Sequence, residues 1–143
     1  MAPEVAVKRL VEFYEQLTPA SLSALPELYA PRARFKDPFN DVRGVEAIRG
    51  VFRHMFDTLE RPRFVVNRRV LQGRECFLTW EFHFSFKRSA QTQTVRGATH
   101  LLLDPQGRVL LHRDYWDPAE ELYEKLPVLG GFMRWLRRRL QAR

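Results

Sequence analysis

From Pro3 to Leu17 the apolar side chains fall at Val7, Leu10, Val11, Tyr14 and Leu17. That spacing of three or four predicts a helix with one buried face. The stretch TPASLSALPELYA continues as a second short helical piece, capped by Thr18 or Ser21. RARFKDPFND then reads as a short extended segment stopped by Pro38. GVEAIRGVFRHMFDTL returns to helical spacing, with Val45, Ile48, Val51, Phe52, Met55 and Phe56 on its packing side. Beyond it the period changes to two. RFVVNRRVLQ, CFLTWEFHFSF, TQTVRGATHLLLD and GRVLLHRDYWD alternate as strands, with turn signals at Gly73 and at Asp104-Pro105-Gln106-Gly107. Helices first and long strands afterwards predict an α+β domain, its N-terminal helices packed on one side of a curved antiparallel sheet.

Composition sets the scale of that domain. With 143 residues, 45% of them hydrophobic and 13% aromatic, the chain has room for one compact domain with a sizeable core. Cys76 is the sole cysteine and no leader-like segment opens the sequence, so a cytoplasmic protein without internal disulfides is expected. No apolar run approaches the roughly 20 residues that span a bilayer. The net charge of +7 is unevenly spread: residues 127–143 hold five Arg and no acid, leaving +2 on residues 1–126. A charge excess confined to a tail, without interleaved stacking aromatics, argues against a nucleic-acid partner.

The tail divides the chain into a domain of residues 1–126 and a segment of residues 127–143. GGFMRWLRRRL predicts an amphipathic helix after Gly130-Gly131, with Phe132, Trp135, Leu136 and Leu140 on one side and Arg134, Arg137, Arg138 and Gln141 on the other. As a lid or dimer element it would bury the apolar face. As an interfacial anchor it would make a weak membrane-surface contact through Trp, Phe and clustered Arg. The first use is the expectation.

Candidate chemistry gathers near the end of the last strand. In HRDYWD, alternation sends His112, Asp114 and Trp116 to one face and Arg113, Tyr115 and Asp117 to the other. An inward Asp114 would be a carboxylate beside an aromatic wall. His54, His100 and His112 lack ligand spacing and no HExxH or paired-Cys motif occurs, so no metal is expected; nor is there a GxSxG elbow.

EFYEQL in the first helix, RFKDPFNDVRGVEAIRGVF across the first strand and GRVLLHRDYWD at the end resemble the nuclear transport factor 2-like superfamily. Within it the chain is similar to the SnoaL-like and ketosteroid isomerase-like proteins, over about residues 5 to 118. The resemblance implies a cone of helices and curved sheet around a pocket, commonly as a homodimer. Asp37 falls where ketosteroid isomerases keep their proton-shuttling carboxylate, and Tyr14 where they keep the phenol that polarises the enolate oxygen. The protonated Asp that assists that phenol, a worked case in enzyme chemistry, is replaced here by Thr99.

HRDYWD itself resembles the last-strand motif of limonene epoxide hydrolase, in which the corresponding Asp activates water. Where that enzyme has an Arg and an Asp on a middle strand, this chain has Glu81 and His83; where it has a Tyr and an Asn on the first strand, Phe35 and Asp37 stand. The resemblance thus implies Asp114 and Asp37 as acid and base, Glu81 and His83 as tuning groups, and Tyr14 as a hydrogen-bond donor. Thr99, Trp116, Phe35 and Thr79 are the candidate binding residues, and no cofactor is implied.

The middle strand admits two registers. Alternation alone turns Trp80, Phe82, Phe84 and Phe86 into the core and Thr79, Glu81, His83 and Ser85 to water. The family register reverses this, and a partner chain would then cover the aromatics. The resemblance favours the second. The function expected is binding of a small apolar or ring-shaped molecule with acid/base chemistry of the isomerase, cyclase, dehydratase or epoxide-hydrolase kind; a noncatalytic binding or assembly module is the alternative.

Overall fold

A computed structural model describes residues 1–122 and 129–141. Helix α1 spans Pro3–Glu15 and buries Val7, Leu10, Val11 and Tyr14, the stripe its spacing predicts. A 3₁₀ turn at Ala20–Ala24 leads into the short α2, Leu25–Leu28. Thr18 and Ser21 bond each other's backbone N–H groups at 2.9 and 3.1 Å, which fixes the entry to that turn. Strands β1 (Tyr29–Lys36) and β2 (Asp41–Arg43) precede α3, Val45–Thr58. Gly44 starts α3 at φ 96°, a conformation that favours glycine, and its N–H donates to the Ala33 carbonyl at 2.8 Å. Then come β3 (Leu59–Gln72), β4 (Glu75–Phe86), β5 (Thr92–Leu103), β6 (Val109–Tyr115), α4 (Pro118–Glu121) and α5 (Leu129–Leu140).

The strands form one sheet in the order β2-β1-β6-β5-β4-β3. Neighbours are antiparallel except β1 and β6, which run parallel, so the sheet is mixed. The parallel pair follows from topology: α3 carries the chain from β1 to the far edge, and the antiparallel run β3 to β6 returns it alongside β1. Register shifts break β3 between Glu60 and Arg63, where Arg61 takes φ 51°, and between Val66 and Arg68. Such bulges bend a strand and coil the sheet, and here they curve β3 around the space beneath α3.

The register of β4 overturns the one that the resemblance favoured. Trp80 and Phe84 are buried on the inner face, 7% and 5% exposed, with Leu78 and Phe82 beside them. Thr79, Glu81 and His83 therefore point the other way. Glu81 lies 3.6 Å from His83, and His83 Nδ1 is 2.9 Å from the Thr94 hydroxyl. The physical reason is magnitude: burying a large apolar side chain is worth roughly 1.5–3 kcal/mol. No comparable term drives Glu81 or His83 inward.

Helix α5 lies where the sequence predicts it, but Phe132 and Trp135 are 57% and 50% exposed. Leu136, on the same side of the helix, is partly buried. The domain boundary expected at residues 126 and 127, and Arg143, lie outside the described residues.

Candidate functional site

A cavity of about 330 Å³ lies between α3 and the inner face of the sheet. Phe52 and Met55 of α3 face Phe64 of β3 and the Trp80, Phe82 and Phe84 ladder of β4. The aromatic wall is continuous: Phe64 stacks on Phe82 at 4.4 Å, and Phe82 on Phe84 at 5.1 Å. Polar groups gather where α1, β1, β5 and β6 meet. Strand alternation brings His112 and Asp114 to the cavity from β6, and Trp116 follows them just past the strand's end. Parallel pairing sets Phe35 beside His112, ring centroids 4.5 Å apart, and antiparallel pairing sets Thr99 directly opposite Asp114.

These neighbours make a hydrogen-bonded chain. Trp80 Nε1–H donates to Thr99 Oγ1 at 2.8 Å, and the Thr99 hydroxyl donates to Asp114 Oδ1 at 2.6 Å. His112 Nε2 is 2.7 Å from the same oxygen. On the other side of the ring, Nδ1 is 2.7 Å from the Tyr29 hydroxyl and 3.3 Å from that of Tyr14, and the two phenols are 2.7 Å apart. With the neutral ring donating from Nε2, Nδ1 accepts from Tyr29 and Tyr29 accepts from Tyr14, so each of these hydrogens has one acceptor. Burial raises both phenols well above the usual tyrosine range, and nearby Asp114 raises them further. They remain donors.

Asp114 Oδ1 is thus held by two donors, while Oδ2 has no hydrogen-bond partner among the described residues and the carboxylate lines the cavity. Among the described residues no Lys or Arg lines the cavity, and no group of three His, Cys, Asp or Glu could hold a metal. Such a site accepts an uncharged or cationic molecule with an apolar body and repels an anion.

Of the residues singled out from the sequence, Tyr14, Phe35, Asp37, Thr99, Asp114 and Trp116 all reach the cavity. They do not act alike. Asp37 Oδ1 accepts from the Phe39 and Asn40 backbone N–H at 2.8 and 2.6 Å, and Asn40 Nδ2 bonds both carboxylate oxygens. It closes a turn at the rim. Trp116 packs edge-on to Phe39 at 5.6 Å nearby. Thr79, Glu81 and His83 are absent from the walls, for the reason given by the β4 register.

The sequence singles out neither His112 nor Tyr29 as a site residue, nor Trp80 as a polar one. The signal for His112 was present, two residues before Asp114 on the same strand face. Tyr29 was hidden because ELYA reads as helix, whereas β1 already begins there. His54, set aside as a metal ligand, stands on the cavity wall from α3.

A model of the SnoaL-like domain matches residues 10–112, from within α1 to His112. No curated protein matches. Among solved structures, a nuclear transport factor 2-like protein of unknown function from Burkholderia pseudomallei superposes with a TM-score of 0.72 at 16% identity, over 84% of this chain and 95% of that one. An epoxide hydrolase from M. tuberculosis, similar to limonene epoxide hydrolase, gives 0.69 at 15% identity, over 99% and 94%. A SnoaL-like polyketide cyclase, so described from Jannaschia sp. CCS1, gives 0.69 at 19% identity, over 80% and 85%. The structural likenesses carry the fold and the domain match spans most of its elements: this chain belongs to the SnoaL-like family.

Proposed function

We propose that the chain binds a small, uncharged, apolar or ring-shaped molecule in this cavity and moves a proton on it, with Asp114 as the general base. The carrying observation is the asymmetry of that carboxylate. Thr99 and His112 fix Oδ1, leaving Oδ2 as an acceptor with no hydrogen-bond partner among the described residues, at the polar end of an aromatic cavity. A base in such a place takes a proton from the bound molecule or from water beside it, and returns it as a carboxylic acid. Trp80 and Thr99 orient the group from one side, and the His112–Tyr29–Tyr14 set from the other. The proton transfer uses only side chains. The described structural neighbours include an epoxide hydrolase and a polyketide cyclase, both compatible with one acid/base group in an apolar pocket.

A noncatalytic carrier is the competing reading, and one observation favours it. The donors of Trp80, Thr99, Tyr29 and Tyr14 are engaged by other side chains, which leaves none of them to stabilise an oxyanion. Turnover by wild type and Asp114→Asn on a panel of ring-bearing epoxides and ketones separates the two. The variant keeps the shape and loses the base, so binding should persist while turnover falls about 10² to 10⁴-fold. Equal turnover in both proteins would reject Asp114 as the base.

A further inference from the structure

We infer that α5 docks the protein on an anionic lipid surface, lying along it and not across it. Three observations carry this. Phe132, Trp135 and Leu140 are 57%, 50% and 76% exposed, so two aromatic rings and a leucine of the apolar side meet solvent, while Leu136 beside them is partly buried. Four arginines accompany them, Arg134, Arg137, Arg138 and Arg139, and residues 129–141 contain no acid. The aromatic groups and the charge are joined: Trp135 stacks with Phe132 at 6.2 Å, and the Arg139 guanidinium lies over the Trp135 ring at 5.7 Å.

Arginines in a last turn also complement the helix dipole, but that role asks for no exposed Trp or Phe. Exposed Phe, Trp and Leu side chains bordered by cations match the lipid interface, where rings enter the headgroup layer and guanidinium groups pair with anionic lipids. Twelve residues make a helix about 18 Å long, well short of a hydrocarbon core of about 30 Å. No described helix is long and apolar enough to cross a membrane. Leu122 of the cavity wall precedes Leu129 by seven residues, which span at most about 25 Å. Docking would hold the cavity close to the lipid, whatever chemistry Asp114 performs.

The test is cosedimentation of the full chain with vesicles of phosphatidylcholine, with or without phosphatidylglycerol. Binding should appear only with the anionic lipid and should be lost in about 1 M salt, where the screening length is about 3 Å. Arg134→Gln with Arg138→Gln should lower partitioning about 30-fold, from roughly 1 kcal/mol for each arginine. Phe132→Ala with Trp135→Ala should lower it as well, with an unchanged melting temperature. No vesicle binding by the folded intact chain at low salt overturns the inference, as does equal binding to neutral vesicles. A large fall in melting temperature in the aromatic variant would make α5 a lid. A change in its sedimentation would make α5 a contact between copies, and salt-sensitive binding to duplex DNA without vesicle binding would give the arginines a nucleic-acid partner; each of these results also overturns the inference.

Discussion

Gly97 shows how little room the polar end allows. It lies opposite Trp80 across β4 and β5, and a Cβ there would stand 2.5 Å from the indole ring. The missing side chain lets Trp80 lie over β5 and donate to Thr99. Gly97→Ala should therefore push the ring aside, break that bond and cost about 1–3 kcal/mol in denaturant unfolding; a change under about 0.5 kcal/mol would show that the ring has another place to go. The buried phenols make a second prediction. An unfolded Tyr loses its proton near pH 10, while folded Tyr14 and Tyr29 keep theirs to higher pH, so the unfolded state gains as pH rises. Stability should fall above about pH 10, by up to roughly 1.4 kcal/mol per pH unit for each phenol, and Tyr29→Phe should make that slope shallower. An identical slope in the variant would show that Tyr29 ionises normally. That His112, Asp114 and Trp116 share a face was legible from alternation, but alternation left open whether that face looks inward. The Tyr29 contact was not legible, because it joins residues 83 apart in sequence.

At the scale of elements, the α1 stripe, the α3 packing side and the turns at Gly73 and Gly107 were all legible in local pattern. The short β2 and the parallel pairing of β1 with β6 were not, since pairing partners are chosen by the path of α3 and not by local sequence. The β4 error has a simple cause. A shift of one residue in assumed register sends every side chain to the opposite face. Alternation had the correct faces from Thr79 to Phe84, though Ser85 is buried and Phe86 exposed, and the borrowed register reversed them. The corrected faces make a paired prediction. Phe84→Glu places a charge in the core and should cost about 3–5 kcal/mol or prevent folding. Phe77→Glu, on the outer face where Phe77 is 45% exposed and stacked on His100, should leave the fold intact and lower the melting temperature far less than Phe84→Glu does. The reverse order of effects would restore the overturned register.

Across the whole molecule, one sheet serves two surfaces. Its inner face surrounds the cavity. We propose that its outer face, where Phe77 and Tyr115 stand about half exposed, is where a homodimer forms. Phe77→Glu should then sediment as a monomer, and a wild-type monomer at micromolar concentration would exclude the dimer. The central claim remains that Asp114 Oδ2 handles a proton on a molecule held in the cavity. It is tested most directly by mass spectrometry of that molecule, captured with the purified protein or supplied from the panel, after incubation in heavy water enriched in oxygen-18. Proton exchange then adds deuterium, and water addition adds the heavy oxygen. Wild type should mark the molecule and Asp114→Asn should leave it unmarked at equal occupancy. A molecule left unmarked by both proteins, or marked equally by both, would contradict the account.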